Sequence, residues 1–164
     1  MPSFSFDIVS EIDKAEMNNV FMQVEKEIST RYDFRGTAAN VEWLDDKKGF
    51  KITGDNEWQV EAVLDIVRKK LAAREQSSKS LDLTREKIVA NLKTTWDIPF
   101  KAGLAQDIAK KMAADIRAEV PKAKPQIQGE AVRVTSGSKD DLQKVIAYLR
   151  QQDYDTPLQF INYR

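Results

Sequence analysis

The chain predicts two successive α+β units, each an antiparallel sheet with helices covering one face. Three observations carry this expectation. The first is an internal repeat. Lys51-Ile52-Thr53-Gly54 precedes Val60, Val63, Leu64, Val67 and Arg68, and 82 positions later Arg133-Val134-Thr135-Ser136 precedes Leu142, Val145, Ile146, Leu149 and Arg150 with every spacing kept. The second is the order of elements, since each half reads strand, helix, strand, strand, helix, strand. The third is alternation in the hairpin strands (Val41/Trp43, Phe50/Ile52, Val132/Val134), which gives each sheet one face for helices and one free face. Together they describe two tandem ferredoxin-like (βαββαβ) sandwiches.

In order along the chain, Phe6-Asp7-Ile8-Val9 opens as a strand with Phe6 and Ile8 on one face. Asp13 is the N-cap of the next helix, with Glu16 three residues on completing a capping box. Val20, Phe21, Val24 and Ile28 form its buried stripe. Phe34-Arg35-Gly36 ends that segment, and Gly36 suits a left-handed turn. Val41–Leu44 and Phe50–Thr53 read as a hairpin around Asp45–Gly49, after which Asp55 or Asn56 caps a helix from about Glu57 to Arg74.

Glu75–Ser80 is polar and serine-rich, a connector. Leu81-Asp82-Leu83-Thr84 reads as a short strand, its surroundings echoing Ser5-Phe6-Asp7-Ile8. An extended stretch follows from Ile88 to about Phe100, then a helix over Gly103–Glu119 carrying Leu104, Ile108, Met112 and Ile116, ended by Pro121 and Pro125. Gln126–Gln128 and Ala131–Thr135 form a second hairpin around Gly129-Glu130. A helix over Lys139–Gln151 and a strand over Leu158–Ile161 complete the unit.

Composition excludes several chemistries. With no cysteine and no histidine, thiolate zinc sites, iron–sulfur clusters, disulfides and Ser-His-Asp arrangements are absent. No loop has the ligand spacing of a calcium or magnesium site, so no metal and no cofactor is expected. The balance points away from an enzyme, although Asp, Glu, Lys and Arg alone can run hydrolytic chemistry. Lys plus Arg equals Asp plus Glu at 26 each, which argues against indiscriminate nucleic-acid coating but leaves room for a local basic patch. No apolar run is long enough to span a bilayer, and the first residues lack a signal-peptide pattern. The expectation is a cytoplasmic protein with no membrane association.

Gln126, Gln128, Arg133 and Thr135 alternate with the apolar positions of the second hairpin and share its free face. Amides, a guanidinium and a hydroxyl suit base edges and phosphate, and a solvated sheet face is the alternative. Arg133→Ala is accordingly expected to weaken binding without lowering stability. Ser136-Gly137-Ser138-Lys139 opens a helix where an anion could sit, with Lys139 at the start, or Ser138 is simply an N-cap. Arg35, beside Tyr32 and Phe34, could stack on a base or bind phosphate, pair with Asp33 or cap the helix. Lys48-Gly49-Phe50-Lys51-Ile52-Thr53 begins like an RNA-recognition signature and then departs from it, and its alternation favours Phe50 in the core. Trp96 on a strand likewise favours the core over a base stack. Phe160–Arg164 is either a ring beside a charge or simply the last strand.

Several stretches together resemble the YajQ family of small bacterial cytosolic proteins. They are Pro2-Ser3-Phe4 with Phe6–Glu11, Tyr32–Gly36, Gln126–Gly129, Arg133–Thr135, Lys139–Gln143 and Pro157–Arg164. Phe4-Ser5 is an insertion relative to the family pattern, and residues 58–96 follow it less tightly. The resemblance implies two ferredoxin-like domains that exchange first strands. A first repeat over 11–84 would be completed by a strand from 88–100, and a second over 101–164 by the strand 4–10. It further implies a non-enzymatic nucleotide-binding protein, with purine nucleotides, transfer RNA and cyclic di-GMP as ligands in the family. The leading reading is a cyclic di-GMP effector that passes its signal to a protein or nucleic-acid partner. The resemblance itself fixes no ligand residues; on the reading of the residues above, the site would comprise Arg133, Gln126, Gln128, Thr135, Arg35 and Lys139. The alternative is an RNA (tRNA)-binding module using the free sheet faces.

Overall fold

Twelve regular elements build two sheets and four helices among the described residues 3–164 of the computed structural model; Pro2 of the Pro2-Ser3-Phe4 stretch lies outside them. The strands are β1 (Phe4–Val9), β2 (Asn40–Trp43), β3 (Gly49–Gly54), β4 (Ile88–Ala90), β5 (Lys93–Pro99), β6 (Lys124–Gln128), β7 (Ala131–Ser136) and β8 (Gln159–Ile161). The helices are α1 (Lys14–Thr30), α2 (Glu57–Ala73), α3 (Gln106–Glu119) and α4 (Lys139–Gln151). All strand pairs are antiparallel.

The chain divides into two units. A central unit comprises Ile12–Lys101, and a terminal unit joins residues up to Glu11 to Ala102–Arg164. The central sheet has the order β2-β3-β5-β4 and the terminal sheet β6-β7-β1-β8. Counted from β5 and from β1 respectively, both have the ferredoxin-like order 4-1-3-2. The strand that precedes α1 in the chain therefore completes the sheet of α3 and α4, and the strand that precedes α3 completes the sheet of α1 and α2. In the central unit this makes the connectivity a circular permutation, with β4 joined to β5 by a two-residue turn.

Each sheet packs its apolar face under its own helices. The repeated stripe is buried in both copies, Val60, Val63, Leu64 and Val67 in one and Leu142, Val145, Ile146 and Leu149 in the other. Phe50, Ile52, Trp96 and Ile98 supply the central sheet's side of the core, and Phe6, Ile8, Val132 and Val134 the terminal sheet's side. Phe50 and Trp96 are thus core residues, and the Trp96 indole Nε1–H donates to the Arg85 carbonyl at 2.7 Å.

Three local expectations are corrected. Leu81–Thr84 is not a strand. Leu81 makes only an isolated bridge to Phe100, because the Asp82 carboxylate accepts from the Thr84 N–H and hydroxyl and turns the chain. The stretch from Ile88 is not one strand either, since Asn91 and Leu92, at φ 53° and 63°, fold it into the β4–β5 hairpin. The capping box at α1 is half made. Asp13 accepts from the Glu16 N–H at 3.1 Å, but the Glu16 carboxylate turns instead to the Arg74 guanidinium at 2.7 and 2.9 Å. That pair holds the Glu16 carboxyl below its ordinary range.

Two positions show backbone constraint most directly. A Cβ on Gly49 would lie 2.3 Å from the Ile98 carbonyl oxygen and 2.5 Å from the Pro99 Cα, so β3 and β5 can approach there only with glycine. Gly49→Ala is expected to destabilise the protein by about 3 kcal/mol or more, measured by urea unfolding. Leu92, by contrast, is a fully projecting apolar residue in a left-handed conformation that suits glycine. Leu92→Gly should raise stability by about 0.5–1 kcal/mol in the same assay, relief of strain outweighing added chain entropy.

Candidate functional site

The open face of the terminal sheet gathers polar side chains in two cross-strand rows. One row runs Gln126, Arg133, Asp7 and Ile161 across β6, β7, β1 and β8. The next, two residues along, runs Lys124, Thr135, Ser5 and Arg164, with Ser5 and Arg164 exchanging both backbone hydrogen bonds. Asn162 and Tyr163 together oppose Phe6 alone, so the chain bulges after β8, with Asn162 at φ 57°. The extra residue re-aims the tail and places Arg164 in the polar row.

Asp7 is the hub of this face. The Arg133 Nε–H donates to its Oδ1 at 2.9 Å and Nη2–H to its Oδ2 at 3.3 Å, while the Asn162 amide donates to Oδ2 at 2.8 Å. The residue is only 7% exposed. Arg133, together with Asn162 and the nearby charge of Arg164, holds the Asp7 carboxyl below the usual aspartate range against the opposing effect of burial. Asp7 is therefore an ionised anchor and not a proton carrier. Arg133 retains its Nη1 donors for a ligand, in an orientation fixed from behind.

This arrangement corrects one expectation. Arg133 is not a freely projecting cation, and Arg133→Ala would leave a nearly buried carboxylate half-partnered, so it must lower stability as well. Of the six candidate residues, Arg133, Gln126, Gln128 and Thr135 come together on this face. Lys139 does not join them. It starts α4 with its Nζ 5.0 Å from the Phe4 ring centroid, on the helix-covered side. At the α4 N-terminus the Ser136 hydroxyl accepts from the Ser138 N–H and meets Asp141 Oδ2 at 3.1 Å, and Ser138 makes no side-chain cap. With Asp140 and Asp141 in its first turn, α4 is a poor seat for an anion.

Arg35 lies in the central unit, its guanidinium 5.7 Å from the ring of Tyr32, which is 83% exposed. Asp33 pairs with Arg31 instead. In the tail, the half-buried Phe160 packs edge-on against Phe6 at the margin of the core, and Tyr163 lies over Phe6 with centroids 6.1 Å apart. Asp7, Asn162, Arg164 and Lys124 were absent from the sequence-based set. Alternation does place Asp7 opposite Phe6 and Ile8, but only the pairing of β1 with β7 shows that it meets Arg133.

The open face of the central sheet is different in kind. Glu42, Lys51 and Asp97 form a cross-strand row of alternating charge beside a cleft of about 600 Å³, which Arg85, Lys48, Asp45, Trp43 and Pro99 also line. Cations and carboxylates balance there, so the cleft carries no net bias toward an anion.

The Asp7 carboxylate has a pH signature. Its depressed pKa contributes stability that is fully present above the ordinary value of 3.8 and is lost as pH falls through the folded-state value. Asp7→Asn should therefore be less stable than the parent at pH 7, and the gap should narrow below about pH 4. Urea midpoints across that range measure it.

The description "Nucleotide-binding protein YajQ-like" belongs to the family model that matches residues 4–164. A protein of Mycobacterium ulcerans (strain Agy99) is 45% identical over the full length of both chains, one of Nocardioides sp. (strain ATCC BAA-499 / JS614) 43% and one of Streptomyces griseus 44%, again over the full length of both, and each is named "Nucleotide-binding protein". Matched from its first described strand to its last residue, the chain belongs to the YajQ-like family of nucleotide-binding proteins.

Proposed function

We propose that this chain is a non-enzymatic nucleotide-binding protein whose ligand is a purine nucleotide, foremost cyclic di-GMP, and that it passes the signal to a macromolecular partner in the cytoplasm. The observation that carries the reading is the buttressed Arg133. A guanidinium fixed by Asp7, with Nη1 donors left over, sits in register with the Gln126 amide and one row from Lys124 and Arg164. Guanidinium and ammonium groups take phosphate, and a primary amide reads purine edges. The shared family and the relatives' names support the ligand class. Nothing on this face is poised as an acid or base, because its carboxylate is held ionised and paired.

RNA binding is the less favoured reading, for a physical reason. Sheets that bind single-stranded RNA present aromatic rings to the bases. Of the rings on the strands, Phe6, Phe50 and Trp96 are buried among the helices, Phe4, Trp43 and Phe160 are half-buried against the two cores, and the two polar rows contain none.

Isothermal titration with cyclic di-GMP, GTP and ATP tests the proposal, with saturable heat expected for cyclic di-GMP. Gln126→Ala should weaken it about tenfold at unchanged stability, and Arg164→Ala about tenfold with a small loss of stability, since the Arg164 charge also favours the ionised Asp7. Equal affinity in both variants would remove the site from this face. No heat with any nucleotide, together with tRNA binding that falls steeply with added salt, would instead establish the RNA reading.

A further inference from the structure

Between the start of α1, the β2–β3 turn and Phe100, the central unit holds a pocket of about 250 Å³. Its floor is apolar, formed by the buried Met17 and the half-buried rings of Trp43 and Phe100. Its rim is polar, with Lys14 and Asn18 from α1 and Asp46 and Lys47 from the turn. The floor is braced from behind: Phe21 stacks on Trp43 at 4.6 Å, and Phe100 stands edge-on to both Trp43 and the buried Phe50. An apolar floor with a few convergent polar groups is the ordinary make-up of a small-molecule site.

The rim groups are uncommitted. The side chains of Lys14, Asn18 and Asp46 have no hydrogen bond or ion pair among the described residues, and the Lys47 ammonium has only the Trp43 ring, 5.4 Å from its centroid. The turn holds two of these groups at a cost. Asp46 and Lys47 are consecutive left-handed residues, at φ 56° and 55°, a conformation that suits glycine and costs a lysine stability. Both strained positions put a charged side chain on the rim, the kind of local sacrifice that accompanies a functional site.

Charge and size then select the ligand. The rim carries two ammonium groups and one carboxylate, a balance that favours an anion. Neighbouring charges do not reverse it. Asp13 accepts the Glu16 N–H as the α1 cap, and the Glu16 carboxylate is held by Arg74. Asp45 and Lys48 line the cleft of the open face, where they offset one another. The volume lies below the range for drug-sized ligands and suits one ring system.

We propose that this pocket binds a flat aromatic ring carrying a single anionic group, at a site separate from the nucleotide face of the terminal sheet. The ring would pack against Trp43 and Phe100, the Asn18 amide would meet a polar edge of the ring, and Lys14 and Lys47 would take the anion. An aromatic carboxylic acid and a nucleoside monophosphate share this chemistry.

Isothermal titration of the full chain with indole-3-acetate and with GMP distinguishes the two sources, each run beside its neutral counterpart, indole-3-acetamide or guanosine. At least one anion should bind saturably, and its neutral counterpart at least about tenfold more weakly. Lys47→Gln and Lys14→Gln should each weaken the anion about fivefold to tenfold. Lys14→Gln should do so without lowering the unfolding midpoint, because it removes a cation from a helix N-terminus. Asp46→Asn, which keeps a side chain tolerant of the left-handed backbone, should strengthen the anion severalfold, an effect that a purely structural role would not produce. Gln126→Ala should leave it unchanged. The proposal is overturned by no saturable heat with either anion, by a neutral counterpart that binds as tightly, or by parent affinity in both lysine variants. If only GMP binds, and its affinity falls in Gln126→Ala but not in Lys47→Gln, the ligand belongs to the terminal sheet and the proposal is likewise overturned.

Discussion

The pairing of β1 with β7 is the constraint on which the terminal unit rests. Phe6 and Ile8 reach its core only through that pairing, and the same register puts Asp7 opposite Arg133. An aspartate in a central strand, almost out of water, would be costly alone. Arg133 from one side and Asn162 from the other satisfy it, and the bulge at Asn162 is what brings that second donor into reach. One ion pair thus specifies the strand register, sets the tail of the chain and orients the guanidinium of the proposed site. Stability and recognition are coupled here, because the residue best placed to contact a phosphate also holds a strand from the far end of the sequence.

Much of the fold was legible because the repeat is carried by side-chain pattern. Val60, Val63, Leu64 and Val67 and their counterparts from Leu142 to Leu149 announce two helices on two sheets, and the structure buries all eight. Alternation in Phe50/Ile52 correctly kept Phe50 inside and placed Gln126, Arg133 and Thr135 together. The failures lie where local turn chemistry competes with pattern. Leu81-Asp82-Leu83-Thr84 alternates like a strand, yet the Asp82 side chain captures the backbone first. Leu92 gives no turn signal at all, since an exposed leucine in a left-handed turn is held there by the hairpin and not by its own preference. At the site, the partnership of Asp7 with Arg133 spans 126 positions, and no periodicity encodes a contact at that range.

The two units share a fold but present unlike surfaces. On the terminal sheet the outward residues are amides and cations around one neutralised carboxylate. On the central sheet, charge alternates to balance across β2, β3 and β5. The two units share the buried helix stripes and differ at the outward positions. That is where a ferredoxin-like sandwich tolerates change, because the buried face alone fixes the packing.

The exchange of strands also has a bearing on the order in which the chain acquires structure during synthesis. The central unit is contiguous in sequence, so all of its elements have left the ribosome once Lys101 has emerged. β1, made first, has no mate until Ala131–Ser136 follow. Through that interval its apolar face, Phe4, Phe6 and Ile8, must wait uncovered, a nascent strand whose closure is among the most non-local in the molecule. The buried Asp7 then acquires a second meaning. Before Arg133 arrives, a charge in the middle of that waiting strand opposes pairing with anything that cannot neutralise it, and so protects the strand until its proper neighbour is made.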